Sequence, residues 1–278
     1  MRVGSRSHLL AAAGVCMAVT GSASASFHLM QIEQVIGGVN GDTSSQAIQL
    51  RLRFPGDTAL EFARIRAWDP EGANPITLID FESGVPNGAL GDRVLITSPN
   101  FAEFTDTPLS SDFILTNLIP DAYLAAGRIT YEGDDGTIYW SLSFGGTAYT
   151  GPTTGTTFND ADGEFGPPFD GPLPSNNQQA LLFQGTAMDS STSNLADYAL
   201  TVGPAVFTNN AGDSAALGSC EHIDLSSGVS LEDFALFQTC FTGSEDAIEP
   251  CCGSADFNGD QAIDVIDYAQ FYDALIGP

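Results

Sequence analysis

The chain contains no lysine, and no arginine follows Arg128. Its eight positive residues are all arginines and face 35 aspartates and glutamates, a formal net charge of −27. A field of that sign repels nucleic acid and anionic membrane surfaces and draws in divalent cations, so neither nucleic acid nor membrane is expected as a partner. Long apolar runs are also lacking. The run from Leu9 to Val19 is too short to cross a bilayer as a resident helix, and no second run exists, so no membrane insertion is expected. Phosphate-cradling, dinucleotide-binding and Gly-x-Ser-x-Gly motifs are absent, and His28 and His222 sit in no triad-like setting. With 43% hydrophobic and only 15% charged residues, the chain nevertheless has the composition of a folded protein.

Arg2 and Arg6, the short apolar run and Ala23-Ser24-Ala25 form the pattern of a secretory signal cleaved after Ala25. Residues 1–25 are therefore expected to be a signal peptide, and the rest to be secreted, extracellular or at the cell surface. Cleavage removes two arginines and no acid, leaving a net charge near −29. Cys16 leaves with the signal. The remaining cysteines, Cys220, Cys240, Cys251 and Cys252, are an even, clustered set that in an exported chain predicts two disulfides. Adjacent cysteines rarely pair, so Cys251 and Cys252 should each meet Cys220 or Cys240. A zinc site lacks a paired Cys-x-x-Cys and has no histidine nearby beyond His222.

From Phe27 onward, short apolar runs follow one another between Gly and Pro, and no helical period appears before residue 230. Ile48, Leu50, Leu52 and Phe54 alternate with Gln49, Arg51 and Arg53, and Ala63, Ile65 and Ala67 alternate with Arg64 and Arg66. That period of two is the mark of strands with one buried face. Further strands are expected at 76–81, 93–97, 113–116, 180–184, 198–202 and 205–208. A hairpin should join 128–131 to 137–144 through Asp134-Asp135-Gly136. The expected fold is an all-β antiparallel sandwich over 26–208, followed by a linker at 209–218. Residues 149–179, rich in Gly, Pro, Thr and Asn, are too long for an ordinary connection and should lie as an ordered flap on the sandwich.

Arg51, Arg53, Arg64 and Arg66 are four of the six arginines left after cleavage. If their strands pair, all four project from one face, where like charges need anions among them. The expectation is a structural ion-pair lattice with Glu61, Asp57 or acids of a neighbouring strand; the alternative is a site for an anionic polymer or partner. Trp68, Trp140, Tyr139 and Tyr149 are candidates for a sugar-stacking platform, although Trp140 alternates with Ile138 and Leu142 and so points to the core. Among 35 acids some pair always stands at hydrolytic spacing, so no catalytic residue is identified and a non-catalytic protein is expected.

The most specific pattern lies near the end. Asp256, Asn258, Asp260, Asp264 and Asp267 occupy positions 1, 3, 5, 9 and 12 of a loop in which Ala262, at position 7, offers its carbonyl. This is the ligand order of an EF-hand-type Ca2+ loop, where a hard cation is wrapped by six or seven oxygens. Tyr268, Phe271, Tyr272, Leu275 and Ile276 then recur with helical spacing. Position 6 is Gln261 rather than Gly, and a left-handed conformation there costs about 1–2 kcal/mol. The competing reading is an acidic helix start with Asp264 and Asp267 as a capping pair. A weaker second metal site is expected at Asp160, Asp162 and Glu164, against a solvated Asx turn as the alternative. Residues 222–241 repeat 256–275, with Asp233-Phe-Ala-Leu-Phe237 over Asp267-Tyr-Ala-Gln-Phe271 and Val229 over Ile263. His222, Ser226 and Ser230 replace Asp256, Asp260 and Asp264, so the first loop, left with Asp224 and Asp233, should be structural.

These paired loop-helix repeats resemble dockerin type I modules over about residues 219–278. The resemblance implies a calcium-stabilised helical module that docks onto a cohesin, and an association with extracellular polysaccharide breakdown, as an accessory protein or enzyme. At positions 10 and 11 the family carries small hydroxylated residues, where this chain has Val265 and Ile266, and Leu231 and Glu232 in the first copy. The segments His28–Val35, Leu195–Leu200 and Phe207–Gly212 resemble a lamin-tail-type sandwich, which implies an immunoglobulin-like fold that binds or scaffolds.

Overall fold

Alternating and fully apolar short runs fold, in this computed structural model, into a mostly β, antiparallel protein. Residues 26–218, 229–241, 252–260 and 262–276 are described. Residues 1–25, expected as a signal peptide, lie outside them, as do Cys220, Cys251, Gln261, and His222, Asp224 and Ser226 of the first repeat.

The strands are β1 (Met30–Ile36), β2 (Ala47–Leu52), β3 (Ala63–Trp68), β4 (Ile76–Asp80), β5 (Arg93–Thr97), β6 (Phe113–Ile114), β7 (Gly127–Gly133), β8 (Ile138–Phe144), β9 (Leu181–Phe183), β10 (Tyr198–Leu200), β11 (Val206–Thr208) and β12 (Ser214–Ala216). Short helices α1 (Asp121–Leu124) and α2 (Asn194–Asp197) intervene, and α3 (Leu231–Cys240) and α4 (Val265–Ile276) follow. One sheet has the order β10-β9-β1-β2-β5-β6 and the other β4-β3-β7-β8. Pairing is antiparallel except between β5 and β6. The expected hairpin is β7–β8, turning through Gly136 at φ +85°.

The two sheets face each other. Met30, Ile32, Ile48, Leu50, Leu52, Val94 and Ile96 of the larger sheet share one core with Ile65, Ile129, Tyr131, Trp140 and Leu142 of the smaller. Trp140 is fully buried there and its indole N–H donates to the Tyr198 hydroxyl at 2.8 Å. Polar spacers on β3 stay half-exposed, as the alternation requires.

On β2 the alternation misleads, because every residue of β1 and β2 is buried. The far side of the larger sheet is covered by a second apolar cluster, in which Ile36, Ala47 and Leu95 meet Phe101, Phe104, Phe207, Ala215 and Leu217. Phe207, Ala215 and Leu217 belong to or border the β11–β12 hairpin. Residues 209–218, expected as a linker, are therefore the turn and second strand of a hairpin that plugs the sandwich. The Asn, Gly and Asp that suggested a linker form its turn, with Gly212 at φ +91°. Phe54 also departs from expectation, since it lies beyond β2 and is exposed.

The arginine strands do not pair with each other. Arg51 stands on the larger sheet, and Arg64 and Arg66 on the smaller. Neither Glu61 nor Asp57 is their partner; the anions come from neighbouring strands. Glu33 sits at a bulge in β1 and accepts from Arg51 Nη1 (2.7 Å), Arg93 Nε (2.7 Å) and Gln49 Nε2 (2.8 Å). Glu132 on β7 is fully buried and accepts from Arg66 Nε (2.9 Å), Arg66 Nη2, Arg64 Nε (3.5 Å) and the Thr130 hydroxyl. Breaking a buried pair by removing one partner strands the other charge, at a cost of about 3–5 kcal/mol. Glu132→Ala should lower the unfolding free energy by that amount in a denaturant titration, while Glu61→Ala, at an exposed position, should change it by less than about 0.5 kcal/mol.

Candidate metal centre

The C-terminal segment folds around two helix starts that match at the repeat offset. Ser230 caps α3, its Oγ accepting from the Asp233 N–H (3.1 Å), while Asp233 Oδ2 accepts from the Ser230 N–H (2.7 Å). At α4, Asp267 Oδ2 accepts in the same way from the Asp264 N–H (2.9 Å). Phe237 and Phe271, equivalent in the two repeats, are both buried and stack with centroids 5.1 Å apart and planes inclined by 23°. Ile263, Ala255 and the Cys240–Cys252 disulfide complete this small core. That disulfide is one of the pairings expected. It closes a loop between the end of α3 and the acidic loop, a constraint worth about 3 kcal/mol for loops of this size. The apolar stripe on α4 is only partly used: Phe271 is buried, whereas Tyr268, Tyr272 and Leu275 are exposed.

Each predicted ligand is oriented by the loop's own backbone. Asp256 Oδ1 accepts from the N–H groups of Gly259 (2.8 Å) and Asp260 (3.2 Å), and Asn258 Oδ1 accepts from Asp260 N–H (2.8 Å). Asp260 Oδ1 accepts from Ala262 N–H (3.0 Å), and Asp264 Oδ1 from Ile266 N–H (2.7 Å). Asp267 is fully buried; its Oδ1 accepts from the N–H groups of Phe257 (2.8 Å) and Asn258 (3.3 Å). Gly259, at φ +75°, makes the turn possible.

The result is a convergence of like charges. One oxygen from each of Asp256, Asp260 and Asp267 lies within 4.8 Å of the others. Two unit charges at such a distance near a protein surface repel by roughly 3–4 kcal/mol. No lysine or arginine stands anywhere after Arg128 to offset this. Oxygens on opposite sides of one calcium ion stand about 5 Å apart, twice a bond of about 2.4 Å, so the spacing suits such an ion.

The other expected sites are placed differently. Asp160, Asp162 and Glu164 do not form a second three-carboxylate group: among the described residues only Asp256, Asp260 and Asp267 meet that spacing. Glu164 turns away and accepts from the Thr153 hydroxyl. The aromatic platform is not assembled, because Trp140, Tyr139 and Tyr149 are buried. Trp68 lies instead under the Arg66 guanidinium, 4.6 Å from ring centroid to Cζ, and donates its indole N–H to Thr130 Oγ1 (2.8 Å). Sequence reasoning missed Glu33, Arg93 and Glu132. Only their outward register on central strands signalled them. Burial lowers the Arg51 pKa, an effect countered by Glu33. Arg93, partly exposed, opens with Arg51 onto a cleft of about 450 Å³ beside Phe183 and Val202.

The two carboxylate environments in the loop predict separable effects. Asp267→Ala removes the acceptor for three backbone N–H groups and should unfold α4 even with calcium chelated, read as lost far-ultraviolet helix signal. Asp260→Ala, at an exposed position, should leave that signal intact and alter only the response to calcium. A comparison with protein-family models finds no match for this chain, and a search of curated proteins finds no match either.

Proposed function

We propose that the protein is a secreted, non-catalytic binding or structural component of an extracellular or cell-surface assembly. In this reading an immunoglobulin-like sandwich carries a calcium-braced, dockerin-like helix pair. One observation carries it: three carboxylates converge at Asp256, Asp260 and Asp267 in a part of the chain without lysine or arginine. Asp256, Asn258, Asp260, Asp264 and Asp267 would hold the ion through side-chain oxygens, and Ala262 through its carbonyl. The ion supplies the positive charge that the loop's own residues lack. Leu231, Val265 and Ile266 stand exposed at the helix starts. They suit a protein partner with an apolar groove, cohesin-like or otherwise of the cell surface.

The surroundings of Ser26 support export with cleavage after Ala25. Asp57 is fully buried and, among the described residues, accepts only from the Ser26 hydroxyl and the Leu29 N–H (3.1 Å). Burial pushes its pKa up, with His28 nearby as a partial offset. Cleavage turns the Ser26 nitrogen, three bonds from that hydroxyl oxygen, into an ammonium beside a carboxylate that lacks one.

Calorimetric titration of the mature chain should find a calcium site of about micromolar affinity, lost in Asp256→Ala/Asp260→Ala. At a hundredfold excess over Kd, calcium should stabilise the helix pair by about 2.7 kcal/mol. Absence of binding heat overturns the calcium reading. Independently, a chain starting at Ser26 should be more stable than one extended by Gly-Ser, by roughly 1.5–3 kcal/mol, and Asp57→Asn should abolish the difference. Equal stabilities of the two wild-type chains overturn the ammonium pair.

A further inference from the structure

The turn at residues 159–164 holds an unsatisfied carboxylate. It is fastened at both ends: Asn159 Nδ2 donates to the carbonyls of His28 (2.7 Å) and Tyr139 (2.9 Å), Ser191 N–H donates to Asn159 O (2.9 Å), and Gly155 N–H donates to Gly163 O (2.9 Å). Between these anchors Asp160 is 2% exposed. Its Oδ1 accepts from the N–H groups of Asp162 (3.1 Å), Gly163 (2.9 Å) and Glu164 (3.1 Å). Its Oδ2 is equally buried and no donor reaches it. A buried carboxylate oxygen without a partner costs several times an ordinary hydrogen bond, and calls for a proton, a water or an ion to account for it.

The neighbouring groups narrow that explanation. The Asp162 carboxyl lies beside Asp160 and, with burial as the larger cause, pushes the Asp160 pKa up. Asp162 is itself exposed, with Oδ1 accepting from Glu164 N–H (3.0 Å). The adjacent Arg53 guanidinium directs its donors to Asn159 Oδ1 (2.6 Å) and to the carbonyls of Phe158 and Met188 (both 3.2 Å), not to Asp160. The two acidic side chains thus adjoin with no basic or amide donor on Asp160 Oδ2, so a cation or a shared proton must hold them together.

We infer that Asp160 and Asp162 bind one divalent metal ion, best fitted by calcium, that braces the 159–164 turn, which Asn159 fastens to the sandwich. Asp160 Oδ2 is the inner ligand and Asp162 the outer one, and water fills the solvent side. Oxygen-only donors select a hard cation, and two carboxylates with a wet outer half belong to the affinity class of extracellular calcium modules, about 10⁻⁴–10⁻³ M. This site is independent of the C-terminal loop. It also replaces the three-ligand arrangement suggested by the sequence, since Glu164 is held by Thr153.

The test uses the full mature chain with Asp256→Asn and Asp260→Asn, which silence the C-terminal loop. Both tryptophans, Trp68 and Trp140, lie in the sandwich strands, so their fluorescence reports its thermal unfolding alone. The Tm should rise with millimolar calcium and level off as the site fills. Asp162→Asn, at an exposed position that leaves the fold intact, should remove the response, and so should Asp160→Asn, which keeps the Oδ1 acceptor. A Tm indifferent to calcium, or a response that survives Asp162→Asn, overturns the site. A Tm that rises on acidification but not with calcium identifies a shared proton instead, and equally overturns it.

Discussion

Each carboxylate that this chain buries must find donors, positive ones are very few, and that scarcity shapes the molecule. Beyond residue 25 there are six arginines, all on or beside the strands of the sandwich. Two of them, Arg51 and Arg93, close on Glu33, and two more, Arg64 and Arg66, close on Glu132. Arg128 and Arg53 cross-link chain segments through carbonyls and neutral side chains, Arg128 reaching Thr154 O and Ser141 Oγ. Positive charge is therefore exhausted in tying strands together. Carboxylate without arginine is left at Asp69, which two backbone N–H groups and Asn74 satisfy, and at Asp57, Asp160 and the 256–267 loop. At the last three sites an ammonium terminus or a metal ion is proposed to neutralise it.

The larger sheet explains why the arginines had to go where they are. It is buried on both faces, by the smaller sheet on one side and by the β11–β12 hairpin with Phe101 and Phe104 on the other. The strand read as amphipathic then places Gln49 and Arg51 inside the protein, beside Gln31 and Glu33 of β1. Polar side chains in that position are tolerated only in a satisfied network. Arg51 meets this requirement completely, with Nε on Gln31 Oε1, Nη1 on Glu33 and Nη2 on the Gly185 carbonyl. The network in turn ties β1, β2 and β5 to the segment after β9, so register and loop position are specified together.

Local signals were legible in the sequence and relational ones were not. The β7–β8 hairpin, the core role of Trp140 and the strand at Arg93–Thr97 follow from periodicity and turn chemistry. The partners of the arginines do not, because Glu33 neighbours Arg93 only once β2 lies between β1 and β5. The turn of the β11–β12 hairpin has the same composition as a linker; what separates the two is Phe207, Ala215 and Leu217 packing on a sheet face that the sequence presented as solvent-exposed. The acidic loop was the most legible feature, since its ligand spacing is a property of consecutive residues.

In that loop, the helix cap and the proposed metal site are compatible parts of one arrangement rather than rivals. Asp233 and Asp267 occupy the same place in the two repeats, and each takes the backbone N–H at its helix start. Capping is thus the common function, and it fixes the carboxylate's direction without any ion. Only the second repeat adds Asp256 and Asp260 within 4.8 Å of that fixed carboxylate. For the proposed ion the cap would pre-orient Asp267, so the entropy of placing it would be lost on folding rather than on binding. A repeat that keeps the cap and loses the other two carboxylates retains its helix, which is how α3 stands, with Ser230 and Asp233 closing its start.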